Sequence, residues 1–147
     1  MTIGFNHLGR HGRLGNQMFQ YAGLRGIAAH KGYDFAIPPS DFNDEWNDHQ
    51  LFEAFKLTGL TNIEQIPGPY VQEAHFHFDQ NLFDNMPDGH NVYAYLQSTK
   101  YFEHIEEEIR EDFEFKNDIH LPCKEMMNTL QDPIALHVRR GDYIQNS

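Results

Sequence analysis

The sequence holds a single cysteine, Cys123, so no disulfide can form within the chain. It contains no apolar run approaching the roughly 18 residues of a membrane span. Its N-terminal residues also lack the basic-then-apolar order of a secretory signal. Both absences predict a soluble, cytoplasmic protein. Basic residues are scarce, 11 Lys and Arg against 22 Asp and Glu for a net charge of -11, which argues against a nucleic-acid or anionic-membrane surface. There is no G-x-x-x-x-G-K-[ST] loop, and the spacing of Gly9, Gly12 and Gly15 is not the dinucleotide fingerprint. No internal repeat, low-complexity stretch or linker interrupts the chain, so residues 1–147 are expected to form a single domain.

What is present suffices for a core: 39% of the residues are hydrophobic and 14% aromatic. The charge is also unevenly placed. Arg10, Arg13, Arg25 and Lys31 stand in the first 33 residues without one acid, and Arg139 and Arg140 stand near the other end. Between them, residues 34–136 are strongly acidic on balance, and such local net positive charge at the two ends suits a small phosphate-bearing ligand better than a long polyanion.

Hydrophobic patterning predicts a strand over residues 3–8, a glycine turn, and a helix over residues 17–31 capped by Asn16. A strand is expected at Asp34–Ile37, a helical turn near residues 51–57, and strands over residues 70–83 and 92–96. The clearest helix is expected over residues 99–113, with Ser98 as cap. It would carry Tyr101, Ile105, Ile109 and Phe113 along one stripe, and Glu103, Glu106, Glu107, Glu108, Glu111 and Asp112 on a wet face. Arg110 is placed to pair with Glu106. A weaker helix over residues 123–130 would lead to a final buried strand at residues 134–138. Strands and helices taking turns give an α/β class, with an open, mostly parallel Rossmann-like sheet and flanking helices.

In such sheets ligands bind beyond the carboxyl ends of the strands. The stretch GRLGNQMFQYA, residues 12–22, would expose backbone N–H groups at a helix N-terminus, with Arg13 adding a full charge and Asn16 an amide donor. The stretch IALHVRRGDY, residues 134–143, would end a strand in two guanidinium forks that match phosphate oxygens. Alternation along a strand separates their roles. Arg139, sharing a face with His137, is expected to meet the ligand, with Arg140 or Asp142 bracing the loop.

These two stretches, together with YLQSTKYFEHIEEEIREDFEF at residues 95–115, resemble glycosyltransferase family 11, the α-1,2-fucosyltransferases. The resemblance implies the N-terminal lobe of a GT-B fold and transfer of fucose from GDP-fucose to a galactose hydroxyl, with inversion and without a metal. It implies that Arg139, first arginine of HxRRGD, meets the donor diphosphate and acts as electrostatic catalyst. His137 would lie near the nucleotide, and Arg13, Gly15 and Asn16 would line the pyrophosphate. Family members are about twice this long, with a second lobe after HxRRGD. The chain is therefore expected to be an N-terminal portion with little or no transferase activity alone, either a truncated gene product or one piece of a split gene whose partner is a separate C-terminal half. Two alternatives stand beside this: a non-catalytic module binding a nucleotide-sugar or glycan, and a metal-dependent hydrolase suggested by ten histidines and His75-x-His77. The H-E-x-x-H spacing of the latter is missing.

Overall fold

The computed structural model describes residues 1–40 and 49–138, which divide into a unit of Met1–Lys116 and a second of Asn117–Ser147. Within the first unit, β1 (Thr2–Gly4), β2 (Asp34–Ile37), β3 (Asn62–Ile63), β4 (Tyr70–Gln72) and β5 (Asn91–Tyr93) form one sheet in the order β3-β2-β1-β5-β4. Every pairing is parallel, with Ile3 opposite Phe35 and Val71 opposite Val92. The α/β reading therefore holds. β2 is buried from Phe35 to Ile37 with no alternation, as expected of a parallel strand covered on both faces.

Helix α1 (Leu14–Lys31) packs on this sheet through Tyr21, Leu24 and Ile27, all fully buried. Each such side chain contributes about 1.5–3 kcal/mol through the water it leaves. Gly26 lets the helix touch the neighbouring backbone: a Cβ there would overlap the carbonyl oxygen of Tyr101. The helix ends as its sequence predicts, with His30 and Lys31 in the last turn and Gly32 left-handed at φ 67°. It begins one turn earlier than predicted. Arg13 is the capping residue, without a side-chain cap bond, and Asn16 lies inside the first turn.

Three expectations in this unit need correction. Only Tyr70–Gln72 of residues 70–83 is a strand, because Asp79 caps a short helix, α3 (Gln80–Asn85), by accepting from the Leu82 N–H at 3.0 Å. The helix expected over residues 99–113 is instead two 3-10 turns, Thr99–Tyr101 and Glu103–Ile105, followed by α4 (Glu106–Asp112). The segment is pressed onto α1, with Tyr101 against Gly26 and His104 Nε2 at 3.1 Å from the Gly26 carbonyl, so tertiary contact overrides the helical period. Asp112 is the third correction, for it is fully buried. Its carboxylate accepts from Tyr21 Oη at 2.6 Å, Gly59 N–H at 2.6 Å, Thr58 Oγ1 at 3.2 Å and the Arg25 guanidinium. Burial, then the Asp112 carboxylate, pushes the Tyr21 phenol above its ordinary pKa, so it stays a donor. The Arg110–Glu106 pair forms as expected, Nε to Oε1 at 3.0 Å, on the exposed surface.

Near the middle of the chain, α2 (Leu51–Ala54) follows His49, whose ring stacks on Phe52 at 4.9 Å.

In the second unit, α5 (Asn117–Asn128) starts before its predicted boundary, carries Pro122 inside it and buries no residue. Residues 133–138 form no strand, and Ile134 and Leu136 are 94% and 86% exposed. Apolar patterning shows what a segment could bury, while a strand also needs a neighbour to pair with, and among the described residues none is offered.

Candidate functional site at the carboxyl edge of the sheet

The strand order reverses between β1 and β5: from β1 the chain steps through α1 to β2 on one side, and β5 lies on the other. Ligands of open parallel sheets gather at such a point, where the loops after neighbouring strands diverge. Here these are the loop from β1 into α1, the loop after β4 and the loop after β5.

The first loop is held from inside the helix it leads into. Gln17 and Gln20, both fully buried, reach back to it: Gln20 Nε2 donates to the His11 carbonyl at 2.9 Å, and Gln17 Nε2 to the Gly12 carbonyl at 3.3 Å. Gln17 Oε1 in turn accepts the Gln50 N–H at 2.9 Å. Gly12 takes φ 89°, and its bare Cα lies against the Asn16 amide, which a Cβ would overlap. Asn16 Oδ1 accepts from Gln97 Nε2 at 2.7 Å, tying the start of α1 to the loop after β5. Farther back, Asn6 exchanges bonds with the backbone of Ile66, at 2.9 Å and 3.2 Å. The turn and its flanks are thus held by the side-chain amides of Asn6, Asn16, Gln17, Gln20 and Gln97, while Arg13 and Gly15 are exposed beside it. A Cβ at Gly15 would meet nothing within 4 Å.

A cleft of about 340 Å³ opens between the ends of β1, β4 and β5. His11 forms one wall, its ring edge-on to Tyr93 at 4.9 Å and 83° and to Tyr95 at 6.4 Å and 63°. Phe76 flanks Tyr95 at 6.0 Å and 45° and is 74% exposed. Glu73 supplies the carboxylate. Its Oε2 accepts the N–H groups of Tyr95 and Leu96 at 3.1 and 3.3 Å, and its Oε1 accepts from Tyr101 Oη at 3.0 Å. The Tyr101 phenol is raised above its ordinary pKa, first by burial and then by the Glu73 charge, so it remains a donor. Beneath the cleft, burial pushes the Asp79 carboxyl up, but the Leu82 and Ala74 N–H groups and His75 outweigh it and hold it below the usual range. His7 packs behind His11 against Tyr70 and Tyr93, at 4.8 and 5.3 Å. Burial first, then Arg10 and His11, lowers its pKa, so the ring is neutral at pH 7. Among the described residues, His11 Nε2 and His7 Nδ1 are buried and have no hydrogen-bond partner.

Of the residues singled out in the sequence, Arg13, Gly15 and Asn16 therefore come together at the N-terminus of α1. His137 lies exposed in the second unit, and Arg139, Arg140 and Asp142 lie outside the described residues. The rings of His75 and His77 stack on each other at 3.6 Å, and His75 Nδ1 is 2.8 Å from the His77 carbonyl. Among the described residues no three His, Cys, Asp or Glu side chains gather as a metal would require. Sequence reasoning missed His11, Glu73, Tyr93, Tyr95 and the two buried glutamines. Gln17 and Gln20 did leave a signal: they stand three apart on the buried helix face that carries Tyr21, Leu24 and Ile27, and a buried amide must find partners.

The chain is 25% identical to galactoside alpha-(1,2)-fucosyltransferase 2 of Sus scrofa over 144 residues, covering 90% of this chain and 40% of that protein. It is 27% identical to galactoside alpha-(1,2)-fucosyltransferase 1 of Bos taurus over 146 residues, covering 91% and 39%. To alpha-1,2-colitosyltransferase of Escherichia coli the identity is 24% over 157 residues, covering 92% and 54%. The chain thus spans about two-fifths to half the length of these curated relatives. No solved structure matches it significantly. The family model for glycosyl transferase family 11 matches residues 2–147, taking in the fixed turn before α1 and the arginine-bearing stretch at the other end. By that match, which runs through the whole parallel sheet and both motifs, the chain belongs to glycosyl transferase family 11.

Proposed function

We propose that this chain is the N-terminal portion of an α-1,2-fucosyltransferase, which moves fucose from GDP-fucose to a hydroxyl of a galactose-containing glycan. The observation that carries the reading is the family match over residues 2–147, since it includes GRLGNQMFQYA and HVRRGDY in one chain. Arg13, Gly15 and Asn16 offer a cation, open backbone and an amide at a helix N-terminus, which is the chemistry that a diphosphate requires. Arg139 is assigned to the β-phosphate. As GDP departs, negative charge grows there, and a fixed guanidinium stabilises the transition state more than the ground state. His137 is assigned to the nucleotide, with Arg140 or Asp142 bracing the loop. The acceptor hydroxyl attacks the face opposite the leaving group, giving inversion, and guanidinium charge takes the part that a metal would otherwise play. The share of the relatives' length that this chain does not span is assigned the rest of the donor site.

The test is calorimetry with GDP and GDP-fucose on the 147-residue chain, alongside radiolabelled fucose transfer to a galactoside. The expected result is saturable binding of both nucleotides, weakened about tenfold by Arg139→Ala, a loss of about 1.4 kcal/mol, with negligible turnover by the chain alone. Absence of nucleotide binding, or binding indifferent to Arg139→Ala, would overturn the assignment.

A further inference from the structure

We propose that the cleft between the ends of β1, β4 and β5 is the subsite for the neutral pyranose ring of the glycan acceptor. This inference rests on the fucosyltransferase reading and adds to it a place and a set of residues.

The lining chemistry selects the ligand. Among the described residues no lysine or arginine lines the cleft, and Glu73 presents a carboxylate to it, so a phosphate would be repelled. An uncharged polyol suits it better. Both Glu73 oxygens are held by donors from Tyr95, Leu96 and Tyr101, so the carboxylate is an oriented acceptor for sugar hydroxyls at no further ordering cost. His11 Nε2 is buried at the wall and lacks a partner among the described residues, which leaves one polar atom for a ligand to satisfy.

The rings argue for a sugar over a flat base. Phe76 and Tyr95 meet at 45°, and His11 stands at 63° and 83° to Tyr95 and Tyr93. These pairs leave no parallel slot in which a purine could be sandwiched, whereas the C–H face of a pyranose needs only one aromatic surface. Phe76 supplies that surface at the mouth. A phenylalanine 74% exposed at the mouth of a cleft contributes little to the core, and a ligand that covers it would recover the burial. The volume of about 340 Å³ is in the range of small-molecule sites and takes one sugar ring with room for its linkage.

The experiment is a titration of the 147-residue chain, labelled with 15N, by methyl β-galactoside and separately by GDP. The galactoside is expected to shift the amides of Glu73, Tyr93 and Tyr95. Phe76→Ala should weaken that binding about tenfold, and the exposed position keeps this variant folded. His11→Phe, which keeps the ring and removes the nitrogen, should weaken it as well, and GDP binding should be unchanged in both. If GDP binds but galactoside does not, or galactoside binds indifferently to Phe76→Ala, the cleft assignment falls and the fucosyltransferase reading stands. If GDP moves the cleft amides and loses affinity in Phe76→Ala, the cleft belongs to the nucleotide base and the proposal is overturned. Should neither ligand bind, both readings fail together.

Discussion

Asp112 shows how much one side chain can carry. Its carboxylate gathers a phenol, a guanidinium, a hydroxyl and a backbone N–H, and so joins α1, the loop at residues 57–59 and α4. Removing it leaves the Arg25 charge partly buried and three donors unsatisfied. Asp112→Ala should therefore cost about 3 kcal/mol, read as a lower urea midpoint; a loss under about 0.5 kcal/mol would mean the network is ornamental. The sequence contained this residue's placement in a form easy to misread. Asp112 stands three residues after Ile109 and seven after Ile105, on the apolar stripe, and its charge alone assigned it to water. His49 makes the opposite point. It is 6% exposed, and burial lowers its pKa from 6.5 to about 4. The unfolded chain takes up the proton first, so the His49 contribution is intact above about pH 6.5 and lost as the pH falls toward about 4. Urea midpoints taken across that window should fall with acidification, and less steeply in His49→Phe. Equal slopes in the two proteins would contradict the burial.

At the scale of elements, α1 is where sequence and structure agree best, because its controls are local. The glycine turn, the Gly32 stop and the small-residue face act within the helix or one residue outside it. Two glycines on this helix predict opposite outcomes. In Gly26→Ala the new Cβ meets the Tyr101 carbonyl oxygen, and backbone cannot swing aside as a side chain can. The helix-propensity gain of about 1 kcal/mol is then outweighed, for a net loss of about 1–3 kcal/mol. In Gly15→Ala the Cβ meets nothing within 4 Å, and the chain should gain up to about 1 kcal/mol. Thermal unfolding of the pair checks both signs, and a shift in the same direction for both would refute the close approach. The elements that the sequence did not reveal fail for non-local reasons. Residues 74–78 alternate like a strand but lead into the Asp79 cap, and the stretch from Thr99 to Ile105 is shaped by Gly26 and by His104 meeting the Gly26 carbonyl. At residues 134–138 the apolar pattern has no strand to pair with among the described residues.

At the scale of the molecule, the parallel sheet does what its strand order implies: it brings the ends of β1, β4 and β5 to one edge and fixes the turn before α1 beside them. The class of fold and the gathering of Arg13, Gly15 and Asn16 at the start of α1 were legible because both follow from a strand, a glycine turn and a helix in immediate succession. The aromatic cleft was not, since His11, Glu73, Phe76 and Tyr95 are far apart in sequence and meet only through the pairing of β4 with β5 and of β5 with β1. Among the described residues no helix is long and apolar enough to cross a membrane. The central claim is that the turn before α1 holds the donor diphosphate together with Arg139. The most direct measurement follows the backbone amides of Gly12, Arg13, Gly15 and Asn16 by NMR as GDP is added to the intact chain and to Arg13→Ala. The account predicts saturable shifts at these four positions in the intact chain, at concentrations about tenfold higher in Arg13→Ala; amides that stay still while GDP saturates elsewhere, or GDP that does not bind, would contradict it.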